Sequence, residues 1–405
     1  MSECHVRTYK LAVPSELNAI CERLNKEAAR IYNKTMSLIR KVKNKKGFWL
    51  SEGTVQKYIL RWYEGIDMHT HSKQAIMQRY FQALRSYFAN IKSNPNAKPP
   101  YKRRRYVPFV WKSTAIKLLE DGTLRLSMGG KAEPLEIKTN LLPSTIIKQA
   151  TLVYDSCRYY LHLAIEVEKQ EQAGSKVMAV DLGVLRPITT FDGEQVVIYS
   201  GGALNSVLRY RNKEYAKFQQ MLSKCKEGSK RYKKLNRAKR NMLRKTSNQI
   251  KDIMHKITSH FIGMCLKKNV GTIVLGELTN IRENVEGNDN ARQKIHQWQF
   301  RKLTQMIEHK AELFGISVIK ISEAYTSKTC PVCGTQNKPN GRNYRCQSCG
   351  FEYHRDGVGA INIYKRYLGD IPVVERLASS VGVRYNPHLR GHEFNTSPWR
   401  VAMSY

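Results

Sequence analysis

The sequence predicts a multidomain α+β chain: a helical N-terminal region, a small β region, and a mixed α/β domain interrupted by a four-cysteine insertion. Three observations predict it. Apolar residues recur at helical spacing early in the chain. Short runs punctuated by turn signals follow. From Lys176 onward, strands and helices alternate. At 405 residues the chain exceeds one ordinary domain, and 41% apolar content is enough for real cores.

Residues 1–15 hold one expected strand, Val6–Leu11. Residues 16–95 read as helical. Leu17, Ile20, Leu24, Ala28 and Ile31 form one apolar stripe, and Ala75, Ile76, Tyr80, Leu84 and Tyr87 form another. Lys92–Tyr106 has the Pro and Asn of a loop and a dense basic run, Lys102, Arg103, Arg104 and Arg105. Strands are expected at Ala115–Leu119, Thr123–Ser127, Leu135–Thr139, Ala150–Tyr154 and Tyr159–Val167, as a small barrel or sandwich. Lys169–Gly174 reads as a boundary. Val177–Asp181, Ile188–Phe191 and Gln195–Tyr199 read as three successive strands, with Asp192-Gly193 as a hairpin turn. A long helix is expected at about 203–268, then a strand at Thr272–Leu278, a loop at Arg282–Asn290 and a helix at His296–Phe314. A strand at Ser317–Ser322 follows, and a last helix starts near Asp356. The remainder, about 370–405, shows no clear period.

The formal net charge is +36 and the pI about 9.9. Such a chain repels itself unless a polyanion neutralises it. Nucleic acid is the leading partner, since Lys and Arg contacts to phosphate supply most of its affinity. The run Lys230, Arg231, Lys233, Lys234, Arg237, Lys239 and Arg240 and the run at 102–105 are the candidate contacts. A membrane is the weaker reading, because no apolar run approaches the roughly 20 residues a spanning helix needs. The first residues lack the apolar core of a signal peptide, so a prokaryotic cytosolic or nucleoid location is expected. Trp49, Trp62, Trp111 and Trp298 offer stacking surfaces, but core packing is the expectation for each.

Cys330, Cys333, Cys346 and Cys349 form two C-x-x-C knuckles, each followed by a glycine. Four thiolates complete the tetrahedral shell of a structural zinc ion. A redox pair needs only one knuckle, and disulfides do not suit a reducing cytosol. The site is closed and therefore structural. Cys4, Cys21, Cys157, Cys225 and Cys265 are scattered and receive no function.

The strand Val177–Val180 ends in Asp181, and Thr272–Gly276 ends in Glu277. Buried strands rarely carry carboxylates without a counter-charge, and a metal ion supplies one. Asp356 follows His354-Arg355 at a helix start, where an N-cap is the bland reading. Asp192 serves as a control, since its glycine marks a turn. Three strands, a helix, a strand, a helix and a strand make the connectivity of an RNase H-like fold. Acids on neighbouring strands of such a sheet face a common point, where they hold two Mg²⁺ ions suited to phosphodiester hydrolysis.

The segments Asp181-Leu182-Gly183, Gly276-Glu277-Leu278, Thr326–Gly334 and His354–Ile363 resemble the split RuvC and zinc-ribbon motifs of transposon-encoded TnpB proteins, the ancestors of type V CRISPR effectors. The motifs cover about 176–368, and a length of 405 is typical of the family. The resemblance implies a wedge domain at 1–15 and 101–172, a helical recognition domain at 16–100, and a RuvC domain at 173–325 and 353–369. It also implies a zinc ribbon at 326–352 and a C-terminal tail at 370–405. It implies an RNA-guided DNA endonuclease, monomeric in its RNA complex. Such a protein binds a guide RNA from the transposon end, reads a short motif beside a double-stranded target, and cuts with Asp181, Glu277 and Asp356. Val358-Gly359-Ala360 departs from the family's Asn-Ala-Ala, at positions that pack the helix. Asn362 is kept, with helix packing as its expected role.

Strand-transfer transposases carry their acids in the order Asp, Asp, Glu, whereas the order here is Asp, Glu, Asp. A basic zinc-ribbon RNA-binding protein leaves the strand-end acids unexplained. A miniature type V CRISPR effector and a non-cleaving RNA-guided repressor remain as alternatives within the resemblance.

Overall fold

The computed structural model describes residues 4–103, 106–130, 132–155, 158–168, 171, 174–277, 293, 298–338, 341–369, 377–385 and 394–398. The chain divides into two compact units, Met1–Glu168 and Lys169–Tyr405.

In the first unit, strand β1 (Cys4–Ala12) precedes helices α1 (Asn18–Lys46), α2 (Glu52–Trp62) and α3 (Thr70–Ile91). Gly47, at φ 76°, ends α1 in the left-handed region that glycine enters without strain. Ser51 starts α2 by accepting the Thr54 N–H on its hydroxyl at 3.2 Å. Strands β2 (Phe109–Lys112), β3 (Ile116–Leu118), β4 (Thr123–Leu126), β5 (Leu135–Lys138), β6 (Ile147–Asp155) and β7 (Arg158–Glu168) follow. They form two antiparallel sheets, ordered β1-β7-β6-β2 and β3-β4-β5. β2 was not expected: Phe109, Val110 and Trp111 are all buried, so the strand has no alternation to detect. Leu24, Ile31 and Ile76 of the helices share one core with Phe109, Trp111 and Leu161 of the sheet. Residues 16–100 and 101–172, expected as separate domains, thus fold around common apolar contacts.

In the second unit, β8 (Lys176–Asp181), β9 (Thr189–Phe191) and β10 (Val196–Tyr199) are followed by helices α4 (Gly202–Ser223) and α5 (Lys230–Lys267). Then come β11 (Val270–Glu277), α6 (Phe300–Leu313), β12 (Ser317–Ser322), the hairpin β13 (Asn343–Arg345) and β14 (Glu352–His354), α7 (Arg355–Leu368), β15 (Val381–Tyr385) and β16 (Phe394–Pro398). The sheet order is β12-β11-β8-β9-β10-β15-β16, with β8, β11 and β12 mutually parallel. The single long helix expected over 203–268 is two helices. Gly228 at φ 79° breaks it, and the Ser229 hydroxyl caps α5 by accepting the Tyr232 N–H. The stretch at 370–405, which shows no clear period in sequence, contributes β15 and β16. β15 joins the edge of β10 in parallel, so its pairing is a tertiary event. The expected loop at 282–290 lies outside the described residues. Among the described residues no helix is long and apolar enough to cross a membrane.

Period-two alternation divides the sheet. Met178, Val180, Ile273 and Leu275 pack against α5 and α6 in one core. Ala179 and Val274 pack against Ile363 of α7 on the other face.

Candidate active site

Asp181 ends β8 on the face covered by α7, in step with Ala179. Gly359 of α7 lies directly over it: a Cβ at that glycine would be 2.9 Å from Asp181 Oδ2. Only a residue without a side chain allows the helix this close. Burial pushes the Asp181 carboxyl well above its ordinary range, and the negative charges of Glu323 and Asp356 push it further, against the opposing effect of Arg355. The control, Asp192, behaves differently. It is also partly buried, but the Lys268 ammonium and the N–H groups of Gln195 and Glu194 hold its carboxyl low, as suits the β9–β10 turn.

Asp356 stands in the first turn of α7. It is not the cap expected from a lone acid at a helix start. His354 is the N-cap, and its Nδ1 accepts the Asp356 N–H at 3.2 Å. The Asp356 carboxylate is therefore free to face outward, where Arg342 Nη1 donates to Oδ1 at 3.0 Å and Oδ2 at 2.9 Å. Arg342 immediately precedes β13, and its carbonyl accepts the Arg355 N–H at 2.8 Å.

Glu277 is elsewhere. Leu275 pairs with Val180, so Gly276 falls level with Asp181, and Glu277 points to the opposite face beside Leu182. It is exposed, at an open cavity lined by Phe300, Arg301, Thr304 and Lys320. The acid that joins Asp181 is Glu323, just past β12. Ile321 pairs with Gly276, and Glu323 returns to the same face two residues later. Its Oε2 is buried without a hydrogen-bond partner among the described residues, 2.8 Å from where a Gly276 Cβ would stand. Burial raises its carboxyl to about 7. The structure thus brings together Asp181, Asp356 and Glu323. A sequence signal for Glu323 exists: Ser317–Ser322 is a strand that ends in an acid, the pattern that singled out Asp181.

The four cysteine sulfurs lie within 4.8 Å of one another, with Cys330–Cys349 at 3.6 Å and Cys333–Cys346 at 3.5 Å. A tetrahedral zinc with Zn–S of about 2.3 Å places its sulfurs roughly 3.8 Å apart, so the cluster fits that ion. Gly334 and Gly350, at φ 73° and 75°, close the knuckle turns by donating to the carbonyls of Cys330 and Cys346. N–H groups of Cys349 and Ser348 bring the Cys346 thiol down to about 6, favouring the thiolate a metal takes.

Asn362 settles on packing. Its amide Nδ2 donates to the carbonyls of Thr326 and Thr329, both at 2.7 Å, tying α7 to the turn that leads into the first knuckle. Asn362→Asp replaces two donors with acceptors facing carbonyls. We expect it to lower stability by about 2–3 kcal/mol, read as a drop in melting temperature, with Asn362→Ala costing less.

Of the basic candidates, Lys102 and Arg103 are exposed, and the Arg103 backbone is pinned to α1 through Asn33. Arg104 and Arg105 lie outside the described residues. Lys230, Arg231, Lys233, Lys234, Arg237 and Arg240 are exposed and Lys239 is half-buried. Between Leu204 and Thr246 only Leu222 is buried, so most of α4 and the first half of α5 form a solvated, cationic helical arm. Trp111 and Trp298 are buried as expected. Trp49 and Trp62 are not: they are 43% and 49% exposed, with Lys43 and Lys34 over their rings.

Comparison with known proteins gives two family matches. The OrfB_IS605 family, described as a probable transposase, matches residues 161–282, and the Cas12f1-like TNB domain matches residues 300–363. A TnpB-like protein of Methanocaldococcus jannaschii is 39% identical over 120 residues, covering 29% of this chain and 43% of that protein. The CRISPR-associated endodeoxyribonuclease Cas12f1 of Sulfoacidibacillus thermotolerans is 29% identical over 216 residues, covering 51% of this chain and 50% of that protein. The chain spans about half the length of these curated relatives. In fold it is similar to the protein of a Cas12f1–sgRNA–target DNA complex, with a TM-score of 0.61 at 16% identity over 86% of this chain and 83% of that one. With OrfB_IS605 matched over 161–282 and the Cas12f1-like TNB domain over 300–363, the chain is similar to TnpB-like proteins and to Cas12f1 endodeoxyribonucleases.

Proposed function

We propose that this chain is an RNA-guided DNA endonuclease that hydrolyses phosphodiester bonds at one Mg²⁺-dependent site. The observation that carries the reading is the convergence of Asp181 and Asp356 from a strand end and a helix start onto one point. Asp181 is held there at an electrostatic cost that a divalent cation would relieve. Hard carboxylate oxygens suit Mg²⁺. When bound, such ions activate water and stabilise the leaving oxygen. Asp181 and Asp356 would hold them, and Cys330, Cys333, Cys346 and Cys349 would hold one zinc.

The chain's own contribution is to bind and orient nucleic acid. The cationic arm at 202–267 offers a phosphate-binding surface matched to the +36 charge. In such a complex, pairing between guide RNA and target strand reads the sequence, while the protein reads backbone shape and a short flanking motif. The nuclease and TnpB-like relatives support both parts of this reading.

The test is to sequence the RNA that co-purifies with the full chain. One discrete structured RNA with a variable 3′ end is the expected result, and random fragments would reduce the protein to a generic binder. An RNA that maps to a transposon end or to a repeat array separates TnpB from CRISPR context. RNA-directed binding without cutting would make the chain a repressor.

A further inference from the structure

We propose that the third carboxylate of the metal site is Glu323, supplied from beyond β12, and that Gly276 leaves the space it occupies. This deepens the proposed nuclease reading and rests on it.

Three observations carry the inference. The first is the face. Side chains alternate along a strand, so shifting by one residue moves a group to the other side of the sheet. The pairings Leu275–Val180 and Gly276–Ile321 set Asp181, Gly276 and Ile321 in one row beneath α7. Glu277 is in the next row, beneath α6, with the thickness of the sheet between it and Asp181.

The second is fit. Gly276 is the position in the row where a β11 side chain would meet Asp181, and it has none. The Glu323 carboxylate takes up that volume together with Ile363 of α7: a Gly276 Cβ would be 2.8 Å from Glu323 Oε2, 2.8 Å from Ile363 Cδ1 and 3.2 Å from Glu323 Cβ. A side chain at position 276 would therefore displace the Glu323 carboxylate from this place, and this chain has glycine there.

The third is that the segment is held in place while its carboxylate is left unused. The Glu323 carbonyl accepts the Thr326 N–H at 3.1 Å and the Thr326 hydroxyl at 2.9 Å. Arg366 of α7 donates to the carbonyls of Ser322 and Ala324, and Asn362 donates to that of Thr326. The helix that carries Asp356 thus clamps the loop on both sides of Glu323. Every one of these bonds uses backbone, and Glu323 Oε2 remains buried and unpartnered among the described residues. A buried acceptor left so costs stability unless a ligand meets it.

The experiment is a Mn²⁺ titration of the full chain, zinc-loaded and otherwise metal-free, followed by electron paramagnetic resonance and by Mn²⁺-induced thermal stabilisation. Glu323→Gln is expected to weaken Mn²⁺ binding tenfold or more, while Glu277→Gln stays within twofold of the parent. Unchanged binding in Glu323→Gln, or an equal loss in Glu277→Gln, overturns the proposal. Asp181→Asn is the control for the site itself: if it too binds Mn²⁺ like the parent, the nuclease reading fails instead. Should Glu323→Gln fail to fold, the pair Gly276→Glu with Glu323→Gly carries the test, because it returns a carboxylate to the same volume from β11. It is expected to bind Mn²⁺ within tenfold of the parent. A folded double variant that binds none overturns the proposal.

Discussion

On the proposed function, Asp181→Asn is expected to abolish target cleavage while guide-RNA binding and folding survive. Asp181 joins the strand end to the metal position, and its loss removes several kcal/mol of transition-state stabilisation, at least about a thousandfold in rate. The fold is not expected to suffer. In the metal-free protein the Asp181 carboxylate is destabilised by burial and by Glu323 and Asp356, so a neutral amide of the same shape relieves repulsion. The variant should melt at or above the parent's temperature without Mg²⁺, while the gain in melting temperature on adding Mg²⁺ disappears. Single-turnover cleavage with a matched guide and target checks the first half, and calorimetry with and without Mg²⁺ checks the second. Persistent Mg²⁺-dependent cutting by this variant would remove the site from β8.

Loss of zinc is the second large effect. The parent is expected to carry about one zinc per chain, and Cys346→Ser to carry none. Binding at a four-thiolate site is worth about 10–16 kcal/mol, most of the folding energy of a small ribbon. The damage should spread to the nuclease centre through two contacts. Cys330, Tyr344, Cys346 and Val358 form one small core, so the ribbon packs on α7. Arg342, the residue holding Asp356, belongs to the same hairpin and accepts the Arg355 N–H at the start of that helix. Cys346→Ser should therefore open the 330–350 segment to protease and lower cleavage by tenfold or more, although no cysteine touches the acids. Metal analysis with limited proteolysis measures both. A zinc-free chain whose ribbon resists protease would contradict the structural role.

Much of this was legible in the residues. Cysteine spacing specified the ribbon because tetrahedral thiolate coordination tolerates few spacings. The order of strands and helices in the second unit followed from strong apolar periods, and β12 was placed to the residue. Asp181 was legible because an apolar strand ending in an acid is costly without a counter-ion. Asp192 was correctly set apart by its glycine. Two elements were hidden for different reasons: β2 buries Phe109, Val110 and Trp111 in succession, so it shows no alternation, and β15 is paired to β10, far from it in sequence. The bland reading of Asp356 as the cap of α7 does not hold, because His354, two residues earlier, is the N-cap and accepts the Asp356 N–H.

Glu277 and Glu323 mark where local reading stops. Both stand at strand ends, Glu277 as the last residue of β11 and Glu323 just past β12. What separates them is register between β8, β11 and β12, segments far apart in sequence. A slip of one residue exchanges the two faces of a strand. The residues alone determined a strongly basic chain with a four-thiolate cluster and strand-end acids, because charge, thiol spacing and apolar period are properties of the chain. Only the tertiary structure decided which acids share a face, because that depends on how α7 and the parallel ladders lock the sheet together.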